Sequence, residues 1–244
     1  MVDFLDACSI QYGLESAPQG YRMDTEYGHV AGGEEPNALL ENPVLREPAI
    51  RTTVQLVVGE RCARAAASGL IDAAPDEPSK RFLATQTLDE PRHTEVFAQR
   101  LYDLGVKKAQ LEHTLAQPVN PDLAKFAEVL LEKVDAVDFV AGVAGQNVIL
   151  EAMAFSVFEM MHAANTNLNP KFANTRSGVI ADEERARARA ASPGSGPAPG
   201  KWQGVDLTTA DPEALEAALA DTTSKEFEVR LERIGIEYQT PVRP

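Results

Sequence analysis

Two short segments of the sequence carry residue types that bind metal ions, and the second segment is an altered copy of the first. The first, residues 88–93, reads LDEPRH, and the second, residues 181–186, reads ADEERA. Each follows a lone glutamate at nearly the same distance, Glu60 in the first half and Glu151 in the second. Because residues three apart on a helix lie on nearly one face, the glutamate and the histidine of the first copy can bind one ion together. A duplicated helix pair of this kind predicts a site for two metal ions.

The predicted ligands are four carboxylates and one imidazole. They are Glu60, Glu90, His93, Glu151 and Glu183. Hard carboxylate oxygens mixed with imidazole suit iron or manganese, whereas thiolate sets favour zinc or iron–sulfur clusters. Four carboxylates also balance the formal charge of two divalent cations, so the pattern favours a two-metal centre.

In the order and spacing of these residues, over about residues 46 to 187, the chain resembles the ferritin-like di-iron carboxylate proteins. The resemblance is to the oxygen-activating branch, which contains ribonucleotide reductase small subunits and the hydroxylase subunits of bacterial multicomponent monooxygenases. The family pattern is Glu, then Asp-Glu-x-Arg-His, then the same set again. The matching positions are Glu60, Asp89, Glu90, Arg92, His93, Glu151, Asp182, Glu183 and Arg185. The last histidine of the pattern is absent, because position 186 is alanine.

The resemblance implies an oxidase or monooxygenase that uses two iron ions, or a Mn/Fe pair, to activate O2 and oxidise a small organic substrate. It also implies a separate reductase that supplies electrons. In the family pattern each of the aspartates at positions 89 and 182 accepts a hydrogen bond from the histidine of the opposite repeat. Asp182 would therefore have a partner in His93, whereas Asp89 has lost its own because position 186 is alanine. Arg92 and Arg185 would pair with these aspartates.

Two amide residues are candidates for the substrate pocket. Gln86 and Asn147 each lie one helical turn before a predicted ligand, Glu90 and Glu151 respectively. They would therefore share its face and offer polar groups in an otherwise apolar cavity.

The missing histidine leaves several interpretations open. The second ion could bind more weakly at a centre that is still functional. Alternatively, Arg187 lies four residues after Glu183 and could enter the vacated space, which would make the chain a degenerate, non-catalytic ferritin-like subunit or scaffold. A local frame error within residues 185–200 would also explain the altered copy. Iron storage is less favoured, since storage ferritins generally lack the paired form of the motif.

The expected fold is all-α, a ferritin-like four-helix bundle with extra helices and an irregular N-terminal segment. Apolar periodicity and capping residues predict helices over about 48–70, 77–104, 136–164 and 170–183, with a further start at Asn120 and short pieces over 212–220 and 225–234. The predicted domains are an N-terminal wrap (1–45), the metal-binding bundle (46–190), a linker rich in Pro, Gly and Ser (191–205) and a helical tail (206–244).

Composition narrows the expected partners and location. The formal net charge of −14 over 244 residues argues against a nucleic-acid surface. Two cysteines, Cys8 and Cys62, form no disulfide framework, and the start lacks a secretory leader, so a cytoplasmic location is expected. The longest apolar stretch contains Glu151 and Glu159, which favours a core helix over a membrane span. A homo-oligomer is expected.

The remaining histidines are not predicted ligands. His162 belongs to a second Glu-x-x-His, but it lies roughly 16 Å along the helix from Glu151, too far to share one pair of ions with it. We interpret it as a histidine at a helix end. His29 and His113 lie in loop-like or polar contexts.

Overall fold

The computed structural model describes residues 35–117, 120–170, 172–173, 179, 201–202, 205–206 and 211–233. Most of these residues are helical, and the strands among them form one antiparallel pair of two-residue strands. The fold class is therefore all-α, as the sequence predicts. The chain divides into two compact units after Gly142.

The helices are numbered along the chain. They are α1 (Asn37–Leu40), α2 (Pro43–Leu70), α3 (Glu77–Asp103), α4 (Leu111–Leu115), α5 (Pro121–Asp135), α6 (Phe139–Val143), α7 (Glu151–Leu168) and α8 (Pro212–Arg233). A 3₁₀ turn (Lys108–Gln110) precedes α4, and a π-helical segment (Ala144–Leu150) joins α6 to α7. The strands are β1 (Lys201–Trp202) and β2 (Val205–Asp206).

Helices α2 and α3 pack against each other as a hairpin whose connection is residues 71–76. Small residues on the inner face of α2, Ala63, Ala66 and Ala67, are buried and allow the two backbones to approach closely. Leu70 and Leu83, on either side of the turn, are also buried. In such a hairpin, residues equally far from the turn face each other, and this geometry sets which side chains can meet across the pair.

The start of α2 differs from the prediction. The sequence suggested a start near Pro48, whereas the helix begins at Pro43 and Pro48 lies inside it. The reason is the Asn-Pro pair: the Asn42 side chain accepts a hydrogen bond from the Val44 amide at 3.0 Å, and Pro43 occupies the first helical position. This N-cap is a stronger start signal than a proline alone.

Three other helix starts are confirmed. The Asp76 side chain accepts from the Ser79 amide at 2.8 Å, Asn120 caps α5, and the Asp211 side chain accepts from the Ala214 amide at 3.2 Å. After the last of these caps, however, the two predicted pieces are one continuous helix, α8. Thr222 and Ser224, which lie between the two predicted pieces, donate their hydroxyls to carbonyls one turn earlier, and the helix continues through them.

Helix α5 packs on α2 within the first unit. Its buried face carries Leu130 and Val134, and a Cβ atom at Gly69 of α2 would collide with the Val134 side chain. Val137, just past the end of α5, has φ 58°, a left-handed conformation that is unfavourable for a β-branched residue. The amide of Asp138 bonds to the Lys133 carbonyl across this turn, which closes the helix end.

In the second unit, α7 packs against α8. The buried face of α7 includes Ala152, Phe155, Phe158 and Ala163. The helical run Phe139–Thr166 meets length and hydropathy criteria for a membrane span, and half of its most apolar window is buried within the structure. Burial on that scale is also what the core helix of a helical protein shows.

At the N-terminal side, Glu35 and Arg100 form an ion pair with a 3.0 Å contact, and both side chains are buried. This pair ties the start of the described chain to α3. Residues 1–34 of the predicted N-terminal wrap and most of the predicted 191–205 linker lie outside the described residues.

Candidate metal centre

Three of the five predicted ligands meet inside the first unit. Nδ1 of His93 lies 3.5 Å from Oε2 of Glu60 and 3.5 Å from Oε2 of Glu90. All three side chains are buried, with residue exposures of 7% for Glu60, 3% for Glu90 and 1% for His93. Their ligand atoms lie within 4.8 Å of one another, and no other group of this kind occurs among the described residues.

The local sequence explains why these three groups converge. Glu90 and His93 have i,i+3 spacing on α3, which places them on one face. Glu60 lies on α2 at a comparable distance from the turn, so the hairpin brings it opposite that face. The caps at Asn42 and Asp76 begin the two helices. The site is therefore built by one hairpin.

The electrostatics of the group favour a positive charge at its centre. Burial by itself lowers the pKa of His93, but the hydrogen bonding and negative charge of Glu60 and Glu90 outweigh burial and hold that pKa well above its usual value of 6.5. A proton on the imidazole offsets part of the carboxylate charge, and the raised pKa favours this charged form. A metal ion would displace this proton when it binds.

The donor set fits a divalent ion of the iron or manganese type. Two carboxylates and one imidazole are hard or intermediate ligands. Ligand atoms bound to one ion at about 2.1 Å lie about 3 to 4 Å apart, and the two 3.5 Å separations from His93 fall in that range. Small shifts of the side chains would thus be enough for all three to bind one ion.

The two residues predicted to support the first ligands are also near each other. Arg92 Nη2 lies 2.8 Å from Asp89 Oδ1, and Arg92 is almost completely buried whereas Asp89 is partly exposed. The i,i+3 spacing on α3 accounts for this pair. Gln86, one turn before Glu90, is buried on the same helix.

The fourth predicted ligand, Glu151, begins α7 in the second unit and is buried at 4% exposure. Its carboxylate accepts a hydrogen bond from Gln146 Nε2 at 2.9 Å. Gln146 was missed in the sequence because residues five apart do not meet on an α-helix. They align here because Ala144–Leu150 is π-helical. Gln146 and its neighbour Asn147 are polar residues inside an apolar run, and this polar pair is the sequence signal that could have pointed to Gln146.

The remaining residues of the second copy, Asp182, Glu183, Arg185, Ala186 and Arg187, lie outside the described residues. Their roles stay predictions. Asn147 lies in the π-helical segment and is half-buried, and its place in a substrate pocket, like that of Gln86, is likewise a prediction.

The other histidines have separate surroundings. His162 lies within α7, and its Nδ1–H donates to the Ala173 carbonyl at 3.1 Å. His113 is exposed on α4, and His29 lies outside the described residues. Neither His113 nor His162 belongs to the metal-ligating group.

No protein-family model matches the chain, and no curated protein matches it significantly.

Proposed function

We propose that this protein binds divalent metal at Glu60, Glu90 and His93 and uses the centre to activate O2 as a di-iron or Mn/Fe oxidase or monooxygenase. The observation that supports the proposal is the convergence of these three buried ligand groups from two packed helices. Burying two carboxylates is costly unless cations pair with them. A metal ion is the cation that this donor set fits best.

Charge balance favours a divalent metal ion, rather than a proton on His93, as the cation that neutralises the two carboxylates. With both carboxylates ionised and His93 protonated, the group keeps one net negative charge. A divalent ion bound by the two carboxylates and a neutral imidazole leaves none. In a buried site the neutral arrangement has the smaller desolvation cost.

The two-metal form of the proposal rests on the resemblance, which assigns Glu151 and Glu183 to the centre as further carboxylates. When bound, the metal ions supply the chemistry of O2 activation. The protein supplies ligands, charge balance and exclusion of water. A small organic substrate near Gln86 and Asn147, a separate reductase, a homo-oligomeric state and a cytoplasmic location complete the proposal.

The test is the metal content of three matched proteins purified from cells supplemented with iron and manganese. They are the wild type, Glu90→Gln and Glu77→Gln. Glu77 is an exposed glutamate on the same helix, paired with Arg81, so its variant controls for the loss of one carboxylate. We expect specifically bound metal in the wild type and the control, and its loss in Glu90→Gln.

Reoxidation by air of the anaerobically iron-loaded protein then tests the oxidase function. Wild-type protein should consume O2 in proportion to its bound iron, and Glu90→Gln should not. Wild-type protein without bound metal would sink the metal-centre proposal, whereas bound iron that does not react with O2 would sink only its oxidase part.

A second candidate function is a non-catalytic ferritin-like scaffold. Two features favour it. Alanine stands at position 186, and Glu60 and Glu90 raise the pKa of His93, which favours a protonated imidazole as the cation between the two carboxylates. If the scaffold proposal is right, Glu90→Gln and wild type will both lack metal, and metal supplementation will leave the melting temperature of the wild type unchanged.

A further inference from the structure

The side-chain hydroxyl of Thr94, on α3, has no hydrogen-bond partner among the residues that the structure describes, and its oxygen is buried. Inside a helix, threonine and serine hydroxyls can bond back to the carbonyl four residues earlier. Other hydroxyls of the described helices do so at 2.8 to 2.9 Å, namely those of Thr53, Thr87, Ser156, Thr166, Thr222 and Ser224. Thr94 departs from this pattern.

Thr94 lies on the face of α3 that carries metal ligands. It directly follows His93 and comes four residues after Glu90, which is about one helical turn. Buried residues before and after it, Leu83 and Phe97, mark this face as the inner one. Because the Cβ atoms of residues four apart on a helix lie about 5 to 6 Å from each other, Thr94 and Glu90 are neighbours on that face.

A buried hydroxyl without a partner costs stability, since it loses its hydration and gains no hydrogen bond in exchange. Valine has nearly the same shape and lacks the hydroxyl, so packing alone does not require threonine at position 94. Buried polar groups of native proteins are nearly always bonded, and an exception calls for a physical explanation. A partner from outside the chain, bound beside the three ligand groups, would remove the cost.

An ion bound by Glu60, Glu90 and His93 has room for such a partner. These three side chains are the metal-ligating group that the described residues bring together. Ions of the iron or manganese type commonly take more than three ligands, up to an octahedral six. Water or a small anion can fill an open position, and a hydroxyl can donate a hydrogen bond to either.

We propose that the Thr94 hydroxyl donates a hydrogen bond to the non-protein ligand of the ion held by Glu60, Glu90 and His93. The ligand class is a small anion, of which hydroxide is the one that water itself supplies. A charged acceptor forms the stronger hydrogen bond, so an anion gains more from this donor than a neutral ligand does. This inference rests on the proposed function, in which the three side chains bind a divalent ion.

The experiment is a titration of the Co²⁺-loaded protein with azide, followed by visible absorption. Co²⁺ binds to the same nitrogen and oxygen ligands as iron and manganese, and azide serves as the small anion. Four proteins are compared: wild type, Thr94→Val, Thr94→Ser and Thr87→Val. Thr87 is the matched control, because it lies two turns earlier on the same helix and its hydroxyl donates to the Leu83 carbonyl at 2.9 Å. The melting temperature of each metal-free protein is also measured.

We expect azide to bind wild type, Thr94→Ser and Thr87→Val with similar affinity, because all three keep a hydroxyl at position 94. In Thr94→Val the azide affinity should fall about 10- to 100-fold, as expected for the loss of one hydrogen bond to a charged group. Metal-free Thr94→Val should melt at a higher temperature than wild type, because valine removes an unpartnered hydroxyl. Thr87→Val removes a bonded hydroxyl and should not show this gain.

Equal azide affinity in Thr94→Val and wild type would overturn the inference and leave the metal centre standing. An equal fall in Thr94→Val and Thr87→Val would overturn it as well, because general packing would then be the cause. A lower melting temperature of metal-free Thr94→Val would mean that the hydroxyl is already bonded, with the same consequence.

The wild type separates this inference from the proposed function. Wild-type protein that binds Co²⁺ but no azide would overturn the inference alone, since the ion would then have no open position for an anion. Wild-type protein that binds no Co²⁺ contradicts the proposed metal centre itself, so the two failures are distinguishable.

Discussion

Glu60 and Glu151 occupy corresponding positions in the two sequence repeats, yet the structure surrounds them differently. Glu60 faces His93, which lies on another helix and can carry a positive charge. Glu151 accepts a hydrogen bond from Gln146, a neutral amide in the same helical run. Both carboxylates are buried. A repeated pattern of ligand residues therefore does not guarantee a repeated environment. In the first repeat His93 can neutralise part of the charge of Glu60, whereas Gln146 cannot neutralise Glu151.

The largest effect should come from removing the imidazole of the first repeat. We expect His93→Ala to lower the affinity for the first Mn²⁺ ion by at least about 100-fold, since a direct ligand should contribute more than a supporting residue. His113→Ala is the control, because His113 is exposed and lies outside the group. Equilibrium dialysis against Mn²⁺ measures both. Equal affinity in the two variants would remove His93 from the centre.

The comparison between the two glutamates can be tested directly in metal-free protein at neutral pH. Glu60→Gln should lower the free energy of unfolding by about 1 to 3 kcal/mol, because His93 loses one of its charged partners. Glu151→Gln should leave it unchanged or raise it, since the substitution removes a buried charge whose partner is neutral. Urea unfolding in the presence of a chelator measures the difference. Equal losses would mean that the two environments are energetically alike.

The pH dependence of the metal-free protein should sharpen the same contrast. The folded-state pKa of His93 lies well above its unfolded value of 6.5, so the folded state binds this proton more tightly. The resulting stabilisation is complete below pH 6.5 and is lost as the pH rises through the folded-state pKa.

Urea midpoints measured across this pH range should therefore fall as the pH rises in wild type. His93→Gln should show a flatter profile, whereas Gln146→Met should follow wild type, because it replaces one neutral side chain with another. A wild-type profile as flat as that of His93→Gln would contradict the positive charge assigned to His93.

The smallest effect is expected just after the end of α5, within the first unit. Val137 has φ 58° and is largely exposed, so Val137→Gly should raise the free energy of unfolding by up to about 1 kcal/mol through relief of the left-handed conformation. Val140→Gly is the control. Val140 is also an exposed valine, but it lies in helix α6. Glycine at this position should therefore lower the free energy of unfolding by up to about 1 kcal/mol. Thermal unfolding of both variants would show whether the sign depends on φ.

Much of the local structure was readable in the sequence. Asp76, Asn120 and Asp211 begin helices, as capping chemistry predicts. The start of α2 was wrong because Asn42 was not recognised as the cap, and the break expected near Thr222 was wrong because hydroxyls can bond back within a helix. In both cases local hydrogen bonds that involve side chains decided the outcome.

The candidate site, too, was only partly predictable from the sequence. The i,i+3 spacing of Glu90 and His93 follows from the sequence alone, since helix geometry places them on one face. Their meeting with Glu60 depends on how the hairpin packs, and the resemblance anticipated it. The hydrogen bond from Gln146 to Glu151 was not anticipated, because it requires a π-helical turn that α-helical periodicity does not reveal.

The sequence by itself determined the residue types, their spacing along each helix and the helix starts, because these depend on contacts between residues close in the chain. The tertiary structure decided what each buried carboxylate meets. Glu60 meets His93 because α2 and α3 pack as a hairpin in one register, and Glu151 meets Gln146 because the helix widens by one residue. Packing between helices and the local winding of one helix set these partners, and both are properties of the folded chain.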